Sequence, residues 1–318
     1  MLTYYAVADN QIKDVRENSS DVSWLHADSP TKAEITQLCQ QFQLPADYLT
    51  AVLDNMENAR TEGLDQQTFK RPVLLVMEFP FVSTSPSGYL QYQTYPISLI
   101  ITPDKHLISV ANQRPPFFNQ VLQSPVLQND MSPRMNILLM ILWELVLSYN
   151  QHLEEIDRQV NHLESQIQVS TENKRLYQIM DIQKSLVFFE AATSANYEAL
   201  QKLWNTPVFN SHHAYHNHLH DILVETKQSV TTSKIYMKLV SQMTDTFSAI
   251  VSNNLNNIMK ILTSLTIVLT IPTIIGGIYG MNVKLPFADN DGAFLLIMGG
   301  TILLCVLAIR FLRKKNLL

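Results

Sequence analysis

Cysteine and glycine are both scarce in this chain of 318 residues. Its two cysteines are Cys39 and Cys305. Because Cys305 lies in a long apolar run, we expect no disulfide between them, which favours a reducing compartment. Only two of the eight glycines precede Gly276, so the polar part of the chain has too few glycines for a glycine-rich nucleotide-binding loop. Walker, G-x-G-x-x-G and CxxC motifs and a clear nucleophile–base motif are also missing, and we expect neither an enzyme nor an organic cofactor.

A secretory signal pattern is missing as well. The first 30 residues contain no basic segment followed by an apolar segment, so we expect no signal peptide. Overall, 46% hydrophobic residues, a net charge of −5 and a mean hydropathy of +0.01 resemble a soluble protein. These averages conceal two regions, since most charged residues precede Lys260. A large hydrophilic body is therefore followed by an apolar C-terminal region.

Two uncharged runs occupy this C-terminal region. Ile261–Tyr279 has 19 residues without a formal charge, and Ala293–Ile309 has 17. The second run extends through Phe311 and Leu312 if Arg310 directs its charge to the membrane surface. At about 1.5 Å per residue, each run covers roughly the 30 Å of a bilayer core. We predict a hairpin of two transmembrane helices.

The charges near the C-terminus predict the orientation of this hairpin. Arg310, Arg313, Lys314 and Lys315 follow the second run, and positively charged flanks stay on the cytoplasmic side. Two spans return the chain to the side from which it started. We therefore expect a multi-pass protein of the cell membrane with both termini in the cytoplasm and the loop between the spans outside.

Residues 1–130 predict a cytoplasmic α+β domain, a mixed sheet with helices packed against it. Strand-like runs occur at 2–7, 72–79, 97–102 and 106–112, separated by turn signals. Helix signals lie between them: Ser29 is the expected N-cap, with Pro30 at the first helical position, and a further helix is expected from Pro115.

For residues 131–257 we predict a stalk of long helices. For residues 258–318 we predict the membrane hairpin and the basic tail. From Pro133 onward apolar residues recur at steps of three and four, as in an amphipathic helix. A break at Ser170-Thr171 starts a second helix, which ends near Pro207. The third runs from about His213 to Tyr279; as one helix it has about 67 residues and a length on the order of 100 Å.

The membrane half of this third helix carries a polar stripe at steps of three and four residues. The polar stripe comprises Asn256, Met259, Thr263, Thr266, Thr270, Thr273 and Gly277. Small residues and threonines on one face are typical of helix–helix packing in lipid. Four threonines that lead to an exposed asparagine also suit a polar pathway between several copies of the helix. One stripe per chain cannot enclose a pore, so a pathway requires a rotationally symmetric oligomer.

The end of this helix, Tyr279-Gly280-Met281-Asn282, together with the layout of the whole chain, resembles the CorA family of magnesium transporters. The resemblance implies a funnel-shaped homopentamer whose first spans line the pore and whose Gly280, Met281 and Asn282 form the selectivity filter. Counting back from the motif places six residues where the family's pore-facing residues lie. With Gly277 of the polar stripe, they make the predicted pore-lining set: Asn256, Met259, Leu262, Thr266, Thr270, Thr273 and Gly277.

The chain departs from the family pattern at two places. Pro272 lies one residue nearer the motif, and threonines occupy positions that are often apolar in the family. The position of a hydrophobic gate is therefore open. In the outer loop, Asp289 and Asp291 either raise the local cation concentration or simply belong to a solvated loop.

Two further groups are candidates for binding metal. The resemblance implies regulatory Mg²⁺ sites between subunits and places Asp221 on the stalk, but an acid expected after LLVMEFPF is missing, since the chain has STSPSG there. Asp221 is otherwise a solvated helix residue. The segment SHHAYHNHLH carries His212, His213, His216, His218 and His220. Its i,i+4 pairs suit Zn²⁺ or Ni²⁺, but only Asp221 is nearby to add a ligand, which favours a solvated linker.

The sequence thus predicts a passive Mg²⁺ channel driven by the membrane potential, with Mg²⁺ as substrate and possible regulator. The expected partners are further copies of the chain, the lipid bilayer and divalent cations, with no nucleic acid. Two alternatives remain: a related transporter of Zn²⁺, Co²⁺ or Ni²⁺, for uptake or efflux, and a membrane-anchored scaffold that passes no ions.

The orientation can be tested by labelling with a thiol reagent that cannot cross membranes. A cysteine introduced at Val283, in a background lacking Cys39 and Cys305, should react from outside intact cells because the loop follows the first span. Reaction only after the membrane is permeabilised would contradict the predicted topology.

Overall fold

The computed structural model describes residues 1–66, 69–126, 132–167, 173–210, 213–283, 286, 292–315 and 317. The chain divides into two compact units, Met1–Thr244 and Asp245–Leu318. One long helix contributes residues to both units. The first unit is described here, and the second with the candidate site.

A seven-stranded mixed sheet forms the centre of the first unit, in the order β2-β1-β3-β7-β6-β5-β4. Its strands are β1 (Leu2–Ala8), β2 (Gln11–Val15), β3 (Val22–Asp28), β4 (Arg60–Glu62), β5 (Val73–Thr84), β6 (Leu90–Ile101) and β7 (Leu107–Ala111). Neighbouring strands are antiparallel except for β3 and β7, where Leu25 lies opposite Ile108 in parallel register. A parallel pair requires a crossover connection, and the segments from α1 to β6 supply it.

Helices cover both faces of this sheet. The helices are α1 (Lys32–Phe42), α2 (Asp47–Thr50), α3 (Phe118–Gln123), α4 (Pro133–Ile167), α5 (Asn173–Trp204), α6 (Pro207–Asn210), α7 (His213–Tyr279) and α8 (Ala293–Lys314). Leu74 and Val76 of β5 share a buried core with Leu38 of α1 and Leu49 of α2. Since successive strand residues point to opposite faces, Leu75 and Met77 lie on the other face, where α4 and α5 pack.

The three long helices α4, α5 and α7 pack together in the first unit. The Asn150 amide on α4 donates to Glu225 Oε2 on α7 (2.9 Å) and accepts from Ser229 Oγ (2.6 Å). On α5, Glu190 lies 3.5 Å from Lys234 of α7. The predicted unbroken third helix is confirmed, since α7 spans 67 residues and contains Pro272. The predicted break at Ser170-Thr171 lies outside the described residues.

The first helix begins two residues later than predicted. Thr31, not Ser29, is the N-cap: its Oγ1 accepts from the Glu34 N–H, and Glu34 Oε2 accepts from the Thr31 N–H, forming a capping box. Ser29 has a left-handed backbone (φ 43°), and its hydroxyl donates to the Asn112 carbonyl. The prediction of Ser29 was wrong because the Thr31–Glu34 pair satisfies two helix N–H groups reciprocally.

Helix α5 compensates for the short edge strand β4. The last residue pair between β4 and β5 is Arg60 with Val76, so Glu78 lies beyond the end of β4. The buried Asn196 side chain takes the place of a strand there. It accepts from the Glu78 N–H (2.9 Å) and donates to the Glu78 carbonyl (2.8 Å). Backbone groups removed from water need such partners, so Asn196 ties the sheet to the helices.

Replacing Asn196 with leucine should destabilise the protein. The change keeps the approximate size but leaves the Glu78 N–H without its partner, whereas the Glu78 carbonyl retains the Tyr149 hydroxyl at 3.1 Å. One buried, unpaired donor costs about 2 kcal/mol, which lowers the melting temperature of a domain of this size by roughly 4–8 °C. The matched control is Asn161→Leu on the exposed surface of α4. Equal melting temperatures for the two variants would contradict this role of Asn196.

Candidate functional site

In the second unit, α7 and α8 pack against each other along one face of each helix. On α7, Ser264, Val268, Ile271 and Ile275 are less exposed than their neighbours, and on α8 the same holds for Ala293, Ile297, Thr301 and Cys305. Residues four apart lie on one helix face. Near the end of α8, the Ser264 hydroxyl donates to the Leu317 carbonyl at 2.6 Å.

Both helices are long and apolar enough to cross a membrane. The most apolar stretch of 18 residues is only 6% buried in α7 and 11% buried in α8. Side chains such as Leu262, Leu269, Phe294 and Leu295 are more than half exposed. Apolar surface of this extent requires a cover of lipid or of protein. The contact between α7 and α8 covers only a small part of this apolar surface.

The predicted pore-lining set lies on the face of α7 away from α8. At 3.6 residues per turn, six of these residues lie roughly opposite the face formed by Ser264, Val268, Ile271 and Ile275, and Asn256 lies about a quarter turn from it. Every member of the set is exposed. The hydroxyls of Thr266, Thr270 and Thr273 each donate to the carbonyl four residues earlier, at 2.8, 2.7 and 3.0 Å. Each hydroxyl proton is therefore used within the helix, while the oxygen lone pairs face outward.

Pro272 interrupts the hydrogen bonds of α7 in its apolar part. A proline has no N–H, so the carbonyl four residues earlier, that of Val268, loses its helical partner. The Cys305 thiol of α8 donates to this carbonyl at 3.8 Å. In an apolar environment a freed carbonyl needs a replacement donor. The cysteine thus compensates for the proline and joins the two helices.

The motif Gly280-Met281-Asn282 directly follows the last residue of α7, Tyr279. The Gly280 N–H donates to the Gly276 carbonyl at 2.9 Å. A Cβ atom at Gly280 would lie 3.2 Å from that carbonyl oxygen, so a larger residue would crowd this turn. Met281 and Asn282 are exposed. Asp289 and Asp291, predicted to attract cations, lie outside the described residues.

Asp221 lies in a cleft of about 350 Å³ between α4, α7 and the segment after α3. Glu144 and His218 line the same cleft, together with Asn136 and Trp143. Burial raises the pKa of Glu144. Glu144 was missed in the sequence because it sits within the regular pattern of α4. Among the described residues, no group of three or more histidine, cysteine, aspartate or glutamate side chains is arranged to hold a metal ion.

The histidines near the start of α7 pack partly against an aromatic ring. His216 stacks on Trp204 of α5 with 4.7 Å between ring centroids, and His220 lies 6.2 Å from the same ring. The i,i+4 pair of His216 and His220 therefore has a packing role in this unit. His212 lies outside the described residues.

An α/β domain followed by a very long helix and a second apolar helix defines a two-span membrane protein with a large polar domain. A family model described as "CorA-like Mg2+ transporter protein" matches residues 19–314. The chain belongs to the CorA family, and the resemblance drawn from the motif is confirmed.

Two curated relatives are both described as "Cobalt/magnesium transport protein CorA". The protein from Methanocaldococcus jannaschii is 27% identical over 177 residues, which cover 55% of this chain and 56% of the relative. The protein from Thermotoga maritima is 25% identical over 175 residues, covering 54% and 49%. The chain thus spans about half the length of the curated relatives it matches.

Solved structures share the fold over all or most of the chain. The complete CorA magnesium transporter of M. jannaschii superposes with a TM-score of 0.82 at 21% identity and covers 100% of this chain and 99% of that one. The full-length CmaX protein has a TM-score of 0.71 at 14% identity, with coverage of 98% and 97%. The cytoplasmic domain of ZntB from Vibrio parahaemolyticus has a TM-score of 0.59 at 13% identity and covers 79% and 98%. The predicted fold class, an α+β domain with stalk helices and two transmembrane helices, is confirmed.

The contact between Cys305 and the Val268 carbonyl can be tested with a double-mutant cycle. Cys305→Ala leaves that carbonyl without its donor and should lower the free energy of unfolding in detergent by about 1 kcal/mol, a usual value for polar contacts between membrane helices. Cys305→Ser keeps a donor and should cost less. In the Pro272→Ala background, residue 272 regains an N–H for Val268, so Cys305→Ala should then be nearly neutral. Equal costs in both backgrounds would show that the thiol does not compensate for the proline.

Proposed function

We propose that five copies of this chain form a channel that conducts Mg²⁺ passively, with the five α7 helices around the pore. The observation that carries the proposal is the position of the pore-lining set. It lies on the face of α7 that α8 leaves uncovered, it is exposed, and it leads to Gly280-Met281-Asn282. A polar face without a partner in an apolar unit calls for water or further copies of the same helix.

The chemistry of the pore-lining set suits a hydrated cation. Mg²⁺ loses its water reluctantly, and its bound water presents polarised protons. Thr266, Thr270 and Thr273 donate their own protons within the helix, so their oxygens are available as acceptors. Rings of neutral acceptors bind such an ion without trapping it.

The motif at the end of α7 is the proposed selectivity filter. The Asn282 amide oxygen offers a neutral acceptor for the water of hydrated Mg²⁺, whereas a ring of carboxylates would hold any cation strongly. Gly280 suits the tight turn beside the Gly276 carbonyl, where a Cβ atom would be crowded. Asp289 and Asp291 are proposed to raise the cation concentration near the filter through their charge.

The membrane potential supplies the driving force. A divalent ion entering a negative interior gains about 4.6 kcal/mol per 100 mV, twice the value for a single charge, so no ATP-binding motif is required. The proposal places the protein in the cell membrane with both termini in the cytoplasm. It divides the chain into a cytoplasmic domain of residues 1–130, a stalk of residues 131–257 and a membrane region of residues 258–318.

Asp221 is the proposed regulatory residue. It shares its cleft with the carboxyl group of Glu144 and the ring of His218. Since no three such side chains of the described residues are arranged to hold a metal ion, the proposed site also takes ligands from a neighbouring subunit. A cation closes the channel only if it binds the closed state more tightly. Asp221→Asn should therefore weaken inhibition by cytoplasmic Mg²⁺, and an unchanged inhibitory concentration would exclude the residue.

The names of similar proteins support a second candidate substrate. Both curated relatives are described as cobalt/magnesium transport proteins. Co²⁺ therefore competes with Mg²⁺ as the ion carried, and flux measurements with each ion alone distinguish them. Zn²⁺ or Ni²⁺ transport and a scaffold without conduction are the other outcomes of the same measurement.

Replacing Asn282 with alanine should reduce Mg²⁺ uptake at least tenfold. The change removes the proposed acceptor at the mouth but leaves the contacts between α7 and α8 in place, so membrane levels should stay normal. Uptake is measured with purified protein in liposomes under an inside-negative potential. Thr273→Val deletes one hydroxyl within the pore-lining set and should reduce uptake less.

The matched control is Val283→Ala, which shortens the exposed neighbour of Asn282 and removes no polar group. It should conduct like the parent. Normal uptake by Asn282→Ala would refute the filter, and a parent that carries no divalent ion would favour the scaffold.

A further inference from the structure

In the first unit, α7 is flanked by a different helix on each side. On one flank, Lys234 lies 3.5 Å from Glu190 of α5. On the other, Glu225 and Ser229 bind Asn150 of α4. Between these flanks, Val224 and Ile235 of α7 remain about half exposed, at 51% and 52%. In a ring of copies whose α7 helices surround a common axis, the α5 flank of one copy would therefore meet the α4 flank of the next.

The flank with α5 forms a basic groove of about 580 Å³. Lys227, Lys234 and Lys238 line it from α7, and Tyr197 and Glu198 line it from α5. All three lysines are exposed. Only Lys234 has an ion-pair partner within 4 Å in the described part of the chain. This lysine groove, defined by Lys227, Lys234 and Lys238, therefore carries positive charge that Glu190 and Glu198 balance only in part.

The flank with α4 presents carboxylates. Glu154 is exposed, and Asp157 is half-buried beside Tyr236 of α7, whose pKa is raised first by burial and then by Asp157. Arg158 next to them is already paired with Glu155 of the same helix at 2.6 Å. The acidic edge, defined by Glu154 and Asp157, thus lies next to α7, with Glu154 exposed and Asp157 half-buried, where Asp157 also accepts from the Asn161 amide at 3.1 Å.

Two lysines of the groove, Lys234 and Lys238, lie at the same height along α7 as the acidic edge. Asp157 is beside Tyr236, and Lys234 and Lys238 lie two residues to either side of Tyr236, or about 3 Å along the helix axis. Rotation about an axis parallel to α7 keeps every residue at its height. A cyclic assembly joins unlike surfaces of neighbouring copies, so such a rotation brings the acidic edge of one copy to the lysine groove of the next.

We propose that the lysine groove of each subunit binds the acidic edge of α4 from the neighbouring subunit. The inference rests on the proposed cyclic assembly and identifies the contact between its polar domains. Lysine side chains can pack their apolar stems on Ile235 while their ammonium groups reach the carboxylates. The charges specify which flanks meet, since like charges would repel in the opposite arrangement.

Disulfide formation in membranes tests the contact with the full chain. Two double variants are made in a background of Cys39→Ala and Cys305→Ser: Glu154→Cys with Lys234→Cys, and Asp157→Cys with Lys238→Cys. Each variant protein is oxidised in the membrane and then separated on a non-reducing gel. We expect a ladder of covalent multimers for at least one pair. Each single cysteine variant is the matched control and should give no ladder beyond a trace, because equivalent positions do not meet in a head-to-tail contact.

Thr270→Cys, treated with a short thiol crosslinker, separates failure of this contact from failure of the proposed channel. If Thr270→Cys forms multimers but both pairs stay monomeric or close within one chain, the groove contact is refuted while the pore survives. If none forms multimers, both proposals are overturned.

Charge exchange provides a second test on the same protein. Lys234→Glu with Lys238→Glu should cause a loss of multimers in detergent, measured by light scattering during size-exclusion chromatography. Adding Glu154→Lys and Asp157→Lys to the same chain should restore them, because the contact then has its charges reversed. Multimers that persist in the first variant, or that are not regained in the second, would refute the contact.

Discussion

Backbone N–H and C=O groups that lose contact with water must find partners inside the protein, and this requirement explains the distinctive contacts of both units. In the first unit, the strand β4 ends before Glu78, and Asn196 of α5 binds both backbone groups there. In the second, Pro272 frees the Val268 carbonyl, and Cys305 of α8 donates to it. In each case a helix side chain replaces a missing backbone donor or acceptor and, by doing so, fixes how two elements pack.

The long helix α7 carries several surfaces that are used differently. In the first unit its two flanks bind α4 and α5, and its exposed side is left with half-exposed apolar residues such as Ile235. In the second unit one face packs on α8 and the opposite face presents hydroxyl oxygens. This division of surfaces supports an assembly of several copies. A single chain leaves two parts of α7 uncovered: the apolar residues of its exposed side in the first unit, and the hydroxyl-bearing face in the second.

The threonine hydroxyls connect this structural requirement to the proposed transport. Hydrogen bonds such as that of Thr270 to the Thr266 carbonyl also occur in helices that only pack in lipid. What distinguishes α7 is that these residues lie away from its partner α8. Their oxygens therefore lie on the face of α7 that α8 leaves uncovered, which is the face that lines the pathway in the proposed assembly.

Local patterns in the sequence predicted the parts of the fold that depend on local physics. The uncharged runs predicted the spans, and the absence of glycine and proline from His213 to Ile271 predicted the unbroken helix. The capping residue of α1 was misassigned because Ser29-Pro30 resembles a start, whereas the Thr31–Glu34 pair forms the capping box. Strands β2, β3 and β4 were missed, since strands are stabilised by their neighbours in the sheet and carry weak patterns of their own.

The sequence by itself therefore determined the helices, the spans and the family motif, because periodicity, charge and position along the chain are local properties. Only the tertiary structure decided which residues meet across long separations: Asn196 with Glu78, Cys305 with Val268, and Glu144 with Asp221 in one cleft. The physical reason is that partner choice depends on the packing of whole elements. A polar side chain binds a carbonyl when packing brings that carbonyl next to it, and binds water when packing leaves it at the surface.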